Sequence, residues 1–170
     1  MSIVIQEGNL SFSFDFEAIK FDDTPYYRNH FIKIKNGISA VDILAVDNNT
    51  GYLIEIKDYT YQDTENLKLN DLVEAIVNKV ISTLSAILPM KNNSNNTAEK
   101  NIAHSFSSAN EIKVFLHLEL SPPTSKLEQS TWSFQKIQMK LKNRLKPIDA
   151  HPKIVSMKYP NHFSWIVTKI

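Results

Sequence analysis

Leu10, Phe12, Phe14 and Phe16 alternate with Ser11, Ser13 and Asp15, and this two-residue period predicts a strand buried on one side. Asp22-Asp23-Thr24-Pro25 breaks it. Alternation from Phe31 to Lys35 predicts a second strand, with Asn36-Gly37 as the tight turn into the next. Ile38 to Val46 (ISAVDILAV) is apolar on both faces apart from Ser39 and Asp42, as in a strand covered from both sides. Asp47-Asn48-Asn49-Thr50-Gly51 supplies a hairpin turn, and Tyr52 to Lys57 (YLIEIK) returns as a strand.

After a polar loop from Asp58 to Asn70, the period changes. Leu72, Val73, Ile76, Val77, Val80, Ile81, Leu84, Ile87 and Leu88 form one broad helical stripe from about Asp71 to Leu88. Asp71 with Glu74 reads as a capping box, and Pro89 as the end. Residues 91–97 read as a polar loop and Ala98 to Ala109 as a short, weak helix. Lys113 to Leu120 (KVFLHLEL) is a strand closed by Pro122-Pro123. Trp132 to Lys146 is a helix with Phe134, Ile137, Leu141 and Leu145 on one side. Lys153 to Met157 and Ser164 to Ile170 close the chain as strands. This order predicts an α/β mixed sheet with a β-rich N-terminal segment, in a single domain over residues 1–170.

Composition narrows the chemistry. The chain has no cysteine, which excludes disulfides, thiolate zinc sites and cysteine nucleophiles and fits a reducing cytosol. Glycine occurs only at 8, 37 and 51, too few for Gly-rich phosphate loops. No signal-peptide run opens the chain, and no stretch approaches the length of an uncharged apolar span, so the expectation is a cytoplasmic protein with no membrane partner. The charge is uneven. Residues 1–125 hold 10 Lys+Arg and 16 Asp+Glu, a net of −6, while residues 126–170 hold 9 Lys+Arg and 2 Asp+Glu, a net of +7. An acidic front and a basic tail suit one surface for a cation and another for an anion.

The stretch that carries chemistry is Val41-Asp42 and, 13 residues after Asp42, Glu55-Ile56-Lys57. A carboxylate among apolar strand residues needs a cationic partner to offset its lost hydration. Glu55 and Lys57, two apart, share a strand face. In a hairpin with a four-residue loop at 47–50 or 48–51, paired residue numbers sum to 97 or 99. Either sum puts Asp42 on that same face, opposite Glu55 in one register and opposite Lys57 in the other. Two carboxylates and an ammonium suit a hard divalent cation, Mg²⁺ or Mn²⁺, held by Asp42, Glu55 and the backbone carbonyl of Ile56. Such a cation stabilises charge on a phosphate and lowers the pKa of bound water. Lys57 would position or deprotonate the water, or neutralise charge at phosphorus.

Val41-Asp42, a hairpin and Glu55-Ile56-Lys57 resemble the signature of the PD-(D/E)XK, or restriction-endonuclease-like, superfamily. The element order resembles that fold as far as about residue 120: antiparallel strands bearing the signature, a helix, a strand and a further helix. The resemblance implies a restriction-endonuclease-like mixed sheet flanked by helices, with Asp42 and Glu55 as metal ligands and Lys57 completing a phosphodiesterase site. It implies a Mg²⁺-dependent nuclease, or a member that has lost catalysis and serves as a nucleic-acid-binding or protein-interaction module. Nucleic acid is the implied partner, DNA ahead of RNA, and a homodimer is left open. Val41 stands where the signature has proline. The acidic residue usual on an N-terminal helix has no clear counterpart, Glu17 lying in strand. Glu55 to Tyr59 (EIKDY), Leu116 to Leu120 (LHLEL) and Lys140 to Pro152 (KLKNRLKPIDAHP) are similar to segments of small bacterial members, which bears on fold and supplies no substrate.

Other candidates have competing structural roles. Lys136, Lys140, Lys142, Arg144 and Lys146 sit on one helix and would contact phosphates, or form a solvated face. His30, beside Tyr27 and Arg28, lies upstream of the signature and would reach a phosphate, although it reads more readily as an exposed strand-end residue. His117 and Glu119 share a strand face with Phe115, which favours a packed, hydrogen-bonded histidine over a metal pair. Glu74 and Lys79 follow the signature and would line a cleft, although Glu74 already serves as a cap. Asp58 and Tyr59 would stand at its mouth and Gln62 would orient a substrate, or all three simply belong to a surface loop.

Overall fold

Asn48 and Asn49 both adopt positive φ, 44° and 67°, the geometry of a two-residue hairpin turn that asparagine tolerates. That turn joins strand β4 (Ile43–Asp47) to β5 (Thr50–Tyr59) with Ile43 opposite Ile54, a sum of 97. The loop is shorter than the four residues expected, but the parity is the expected one. The computed structural model describes residues 2–60, 68–121, 133–159 and 163–170.

Two sheets and four helices make up the described residues. β3 (Glu17–Lys20), β4 and β5 run antiparallel. β6 (Glu111–Leu120) lies parallel to β5 along all its length, and β7 (Lys153–Val155) is parallel to β6. The order β3-β4-β5-β6-β7 is thus a mixed sheet. A second, antiparallel sheet contains β1 (Ile3–Glu7), β2 (Leu10–Phe14) and β8 (Ile166–Lys169), with β2 in the middle. The closing segment expected from Ser164 onward is therefore a strand, but of this smaller sheet.

Among the described residues helices cover only one face of the large sheet. Leu44, Leu53, Val114, Leu116 and Leu118 pack against α1 (Pro25–Asn29), α2 (Leu69–Asn93), α3 (Thr97–Ser107) and α4 (Phe134–Leu145). On the other face Ile43, Ala45, Ile54, Ile56 and Phe115 meet Leu10, Phe12, Phe14 and Trp165 of the small-sheet layer. The expected flanking by helices is corrected on this side. The alternating Phe12 and Phe14 offer a flat apolar surface that covers a sheet as well as a helix would.

Several boundaries move for identifiable reasons. The strand expected over Phe31 to Lys35 is a 3₁₀ turn (Phe31–Lys33) following α1. Thr24 caps α1 by accepting from the Tyr27 amide at 3.3 Å, and Pro25 occupies the first turn. Phe31 is buried while Ile32 and Ile34 are exposed, so the apparent alternation never faces a sheet. Gly37 does sit in a positive-φ turn, but no strand precedes it. The strand expected from Ile38 begins only at Ile43, because the Ile38 amide bonds the Lys35 carbonyl and the Val41 amide bonds the Thr83 hydroxyl. Asp42 thus stands just before a strand.

α2 runs through Pro89 to Asn93. Proline removes the amide that would reach the Ser85 carbonyl, but Ser85 lies on the exposed side, while Ala86, Ile87 and Met90 are buried and hold the helix on. The N-cap is Lys68 with no side-chain cap bond, so the capping box at Asp71 is corrected, and Ile81 and Leu88 face solvent instead of joining the stripe. Among the described residues α2 alone is long and apolar enough to cross a membrane, with 44% of its most apolar window buried. The loop expected over 91–97 shrinks to 94–96, where the Asn96 side chain accepts the Ala98 and Glu99 amides and starts α3. α3 leans on the hairpin, with the Phe106 ring 2.6 Å from where a Cβ on Gly51 would stand. In α4, Ile137, Leu141 and Leu145 are buried as the spacing predicts. Gln62, Trp132 and Pro122-Pro123 lie outside the described residues.

Candidate functional site

β5 continues past the end of β4. Its pairing with β4 stops at Ile54, so Glu55 to Tyr59 run on beside β6 alone. Continuing the sum of 97 places Asp42 level with Glu55. Asp42 takes over from the missing strand, its Oδ2 accepting the Ile56 amide at 2.6 Å. Glu55 and Lys57, alternating with inward Ile54 and Ile56, point to the helix-covered face.

Asp42, Glu55 and Lys57 are thereby brought together, and a fourth group joins them from α2. Lys57 Nζ lies 2.8 Å from Glu55 Oε1. Lys79 Nζ lies 2.7 Å from the same oxygen and 3.6 Å from Asp42 Oδ1. Glu55 is fully buried, and its Oε2 accepts no hydrogen bond among the described residues. Burial, and then the charge of Asp42, push the Glu55 carboxyl up to about 7, against the pull of Lys79 and Lys57. Asp42 is also raised by burial, opposed by Lys79 and the Ile56 amide. Burial lowers the Lys79 ammonium, but Glu55 and Asp42 together outweigh it and the net shift is upward.

The sequence pattern places Lys79 only along a cleft. In the fold, Ile76, Lys79 and Thr83 occupy one row of α2 facing the sheet. A lysine and a threonine four apart inside an apolar stripe are the signal that points to it. Thr83, fully buried, donates to the Lys79 carbonyl at 2.8 Å and accepts the Val41 amide at 3.0 Å.

A second acidic group adjoins the first. Glu7, Asp22 and Asp42 each offer a carboxylate oxygen within 4.8 Å of the others. Burial first, then Asp42 and Glu7, push Asp22 up to about 6, and its Oδ1 accepts no hydrogen bond among the described residues. Glu7 is already paired with Lys20 at 2.9 Å. The sequence pattern marks Asp22 only as a strand breaker. Glu17 pairs with Val46 at the far end of β3, away from Asp42, whose carbonyl accepts the Phe21 amide.

The remaining candidates stand apart. His30 is the exposed C-cap of α1, its ring 5.8 Å from that of Tyr26. His117 is fully buried on the opposite sheet face, with Nε2 2.9 Å from Glu119 Oε1 and its ring edge-on to Phe12. Glu119 also accepts the Met157 amide at 2.6 Å, and these bonds hold its carboxyl below the usual range against the effect of burial. This is the packed, hydrogen-bonded pair. Asp58 folds back on Thr60, accepting its amide at 2.9 Å, and Tyr59 is partly buried on the helix side. Glu74 binds Arg144 at 2.7 Å and Lys140 binds Asn70 at 2.9 Å, two rungs between α2 and α4. They border an open cleft lined by Asn70, Val73, Glu74, Lys140, Asn143 and Arg144. Lys136, Lys142 and Lys146 are exposed on α4 or just beyond it.

No family model matches the chain, and no solved structure matches it. It is 30% identical over 157 residues to the cysteine–tRNA ligase of Neisseria meningitidis serogroup A / serotype 4A (strain DSM 15465 / Z2491), in a match that takes in 75% of this chain and 22% of that protein. The chain therefore spans about a fifth of the length of the relative it matches.

Proposed function

We propose that the chain is a Mg²⁺- or Mn²⁺-dependent nuclease of restriction-endonuclease-like fold that hydrolyses phosphodiester bonds. The observation that carries this reading is that Asp42 and Glu55 stand together and that Glu55 keeps a buried carboxylate oxygen with no hydrogen-bond partner among the described residues. That oxygen is Oε2, and Asp42 Oδ1 lies 3.6 Å from Lys79 Nζ. An orphaned buried carboxylate oxygen is costly, and a hard cation is the group that satisfies it. Ile56 fits the same donor set. Its amide leaves β5 toward Asp42, and within a strand the carbonyl of a residue leaves on the same edge as its amide.

The order of elements supports the fold assignment: β3-β4-β5 antiparallel with the signature on the last two, then α2 and α3, parallel β6 and α4. The small sheet on the second face is this chain's departure from it.

Asp42, Glu55 and the Ile56 carbonyl would hold the metal. When bound, it would stabilise charge on a phosphate and make water a stronger acid. Lys57 stays on the site's face through its pair with Glu55 and neutralises charge that develops at phosphorus. Glu55, buried and raised to about 7, must be deprotonated to bind a cation, so ligation favours neutral to basic pH. Lys136, Lys142 and Lys146 offer exposed cations for the backbone, with Lys140 and Arg144 beside them.

One observation favours a second reading. Lys79 bridges both carboxylates as a metal would, so the chain would be an inactive member of the fold that binds nucleic acid or a protein. Cleavage of a panel of single- and double-stranded DNA and RNA, with and without Mg²⁺ or Mn²⁺, separates the two. The panel includes tRNA because the matched relative is a tRNA ligase. The nuclease reading expects metal-dependent cleavage that Glu55→Ala abolishes. Cleavage that survives in Glu55→Ala belongs to a contaminant and sinks it.

A further inference from the structure

We propose that Lys79 is a built-in cation that holds the place of the divalent metal, leaves the two carboxylates when metal binds, and then contacts the anionic substrate. The inference rests on the metal-dependent reading above. Among the described residues Lys79 alone pairs with both Asp42 and Glu55, whereas Lys57 pairs only with Glu55.

Charge decides which group must move. Asp42 and Glu55 against Lys57 and Lys79 balance at zero when all four are ionised. A divalent cation added to that set would leave two positive charges in excess beside a fully buried Glu55, and still one when the neighbouring Asp22 is ionised, Glu7 being paired with Lys20. One ammonium has to withdraw. Lys57 pairs with Glu55 alone, so its withdrawal would leave Asp42 and Glu55 still bridged by Lys79. Lys79 comes from another element and stands between the two carboxylates a metal needs, at Glu55 Oε1 and Asp42 Oδ1.

The local structure lets the side chain move while the backbone stays. Thr83 and the helix ladder fix the Lys79 carbonyl. The flexible four-carbon stem reaches a partly open position, with the Lys79 side chain 19% exposed. Withdrawn from the carboxylates, the ammonium remains at the mouth of the site, where a phosphate would arrive. Metal and substrate binding are then coupled through one lysine: metal frees the cation, and the freed cation receives the anion.

The test uses Mn²⁺ alone as probe, titrated calorimetrically into the wild type, Lys79→Met and Lys57→Met, with melting temperatures read in parallel. Lys79→Met is expected to bind Mn²⁺ about tenfold tighter, or more, since removing a like charge this close to the site relieves strong repulsion. It is also expected to melt below the wild type without metal and to gain more from it. Lys57→Met is expected to gain less affinity. If Lys79→Met does not fold, Lys79→Gln keeps a donor to Glu55 without the charge and carries the same expectation. Equal Mn²⁺ affinity in wild type and the folded Lys79 variant overturns the displacement and leaves the metal reading standing. Folded proteins that all fail to bind Mn²⁺ overturn the metal reading and this inference with it.

Discussion

Thr83 accepts the amide of Val41 at 3.0 Å and donates its own proton to the carbonyl of Lys79 at 2.8 Å. One hydroxyl thus ties the residue before Asp42 to the helix turn that carries its partner. Thr83→Val keeps the shape and removes both bonds, leaving the Val41 amide buried and unpaired. The expected loss is about 1–3 kcal/mol in urea unfolding. Mn²⁺ affinity should fall as well, because Asp42 loses its anchor. A variant as stable as the wild type would mean that Val41 finds another acceptor.

Stability should fall as pH rises from about 4.5 to 7. The folded Glu55 carboxyl is raised from 4.5 to about 7, Asp22 from 3.8 to about 6, and Asp42 in the same direction. Across that window the folded state holds protons the unfolded state has released, so folding weakens with each step upward. Glu119 shifts the opposite way, and its contribution is lost only at more acid pH. Urea midpoints at pH 5 and pH 7.5 measure the fall. Glu55→Gln should make it shallower, and an unchanged slope would remove Glu55 as its source.

Glu99 is buried at the start of α3, where one oxygen accepts the Tyr26 amide at 3.2 Å and the other the Ser94 hydroxyl. It joins α1 and the α2–α3 turn far from the signature. Glu99→Ala should cost about 2–4 kcal/mol, since hydrogen bonds to charged groups contribute more than neutral ones. The melting temperature should drop while the metal-induced rise stays as in the wild type. A changed metal response would place Glu99 in communication with the site.

The triple variant Lys136→Gln, Lys140→Gln, Arg144→Gln tests the basic helix. Every cation that pairs with a phosphate adds about one unit to the salt slope of duplex binding, and its removal takes that unit away. Arg144 and Lys140 are shared with Glu74 and Asn70, so the expected drop is between about one and three units. Glu74→Gln should raise affinity by freeing Arg144. Unchanged affinity and slope in the triple variant would make this helix a solvated face.

Gly51→Ala should destabilise by about 1–3 kcal/mol, the usual range for overpacking. The added Cβ would meet the Phe106 ring at 2.6 Å. A neutral result in thermal unfolding would show that α3 shifts to make room.

The helices of the C-terminal half and the central hairpin were legible because their periods are strong. The buried Ile137, Leu141 and Leu145 follow from spacing and the odd sum of the hairpin from parity, while Ile43 against Ile54 is one of the two registers that parity allowed. The stretch from Thr24 to Val41 was not, because Phe31 to Lys35 alternates by chance in a segment whose aromatic residues turn inward from a short capped helix. Asp42, Glu55 and Lys57 were legible as one face. Lys79 and Asp22 were not, since their proximity to Asp42 depends on how α2 and the turn after β3 pack, which no local pattern records. The second sheet was hidden for a related reason: β2 and β8 are separated by most of the chain.

Asp42 closes the β4–β5 ladder with a side chain, much as an aspartate at a helix N-cap satisfies an amide that the backbone has abandoned. The sheet therefore has a built-in stop. Had β4 begun one residue earlier, backbone would have taken the Ile56 amide and the opening beside β5 would have been zipped shut. The consequence is a divided allegiance within one carboxylate, one oxygen serving architecture and the other turned to the ammonium of Lys79. An Asp42→Asn chain can keep the architectural half, since the amide oxygen still accepts from Ile56, while surrendering the charge. Asp42→Ala loses both at once, so the two substitutions separate the part of this residue that folds the protein from the part left over for chemistry.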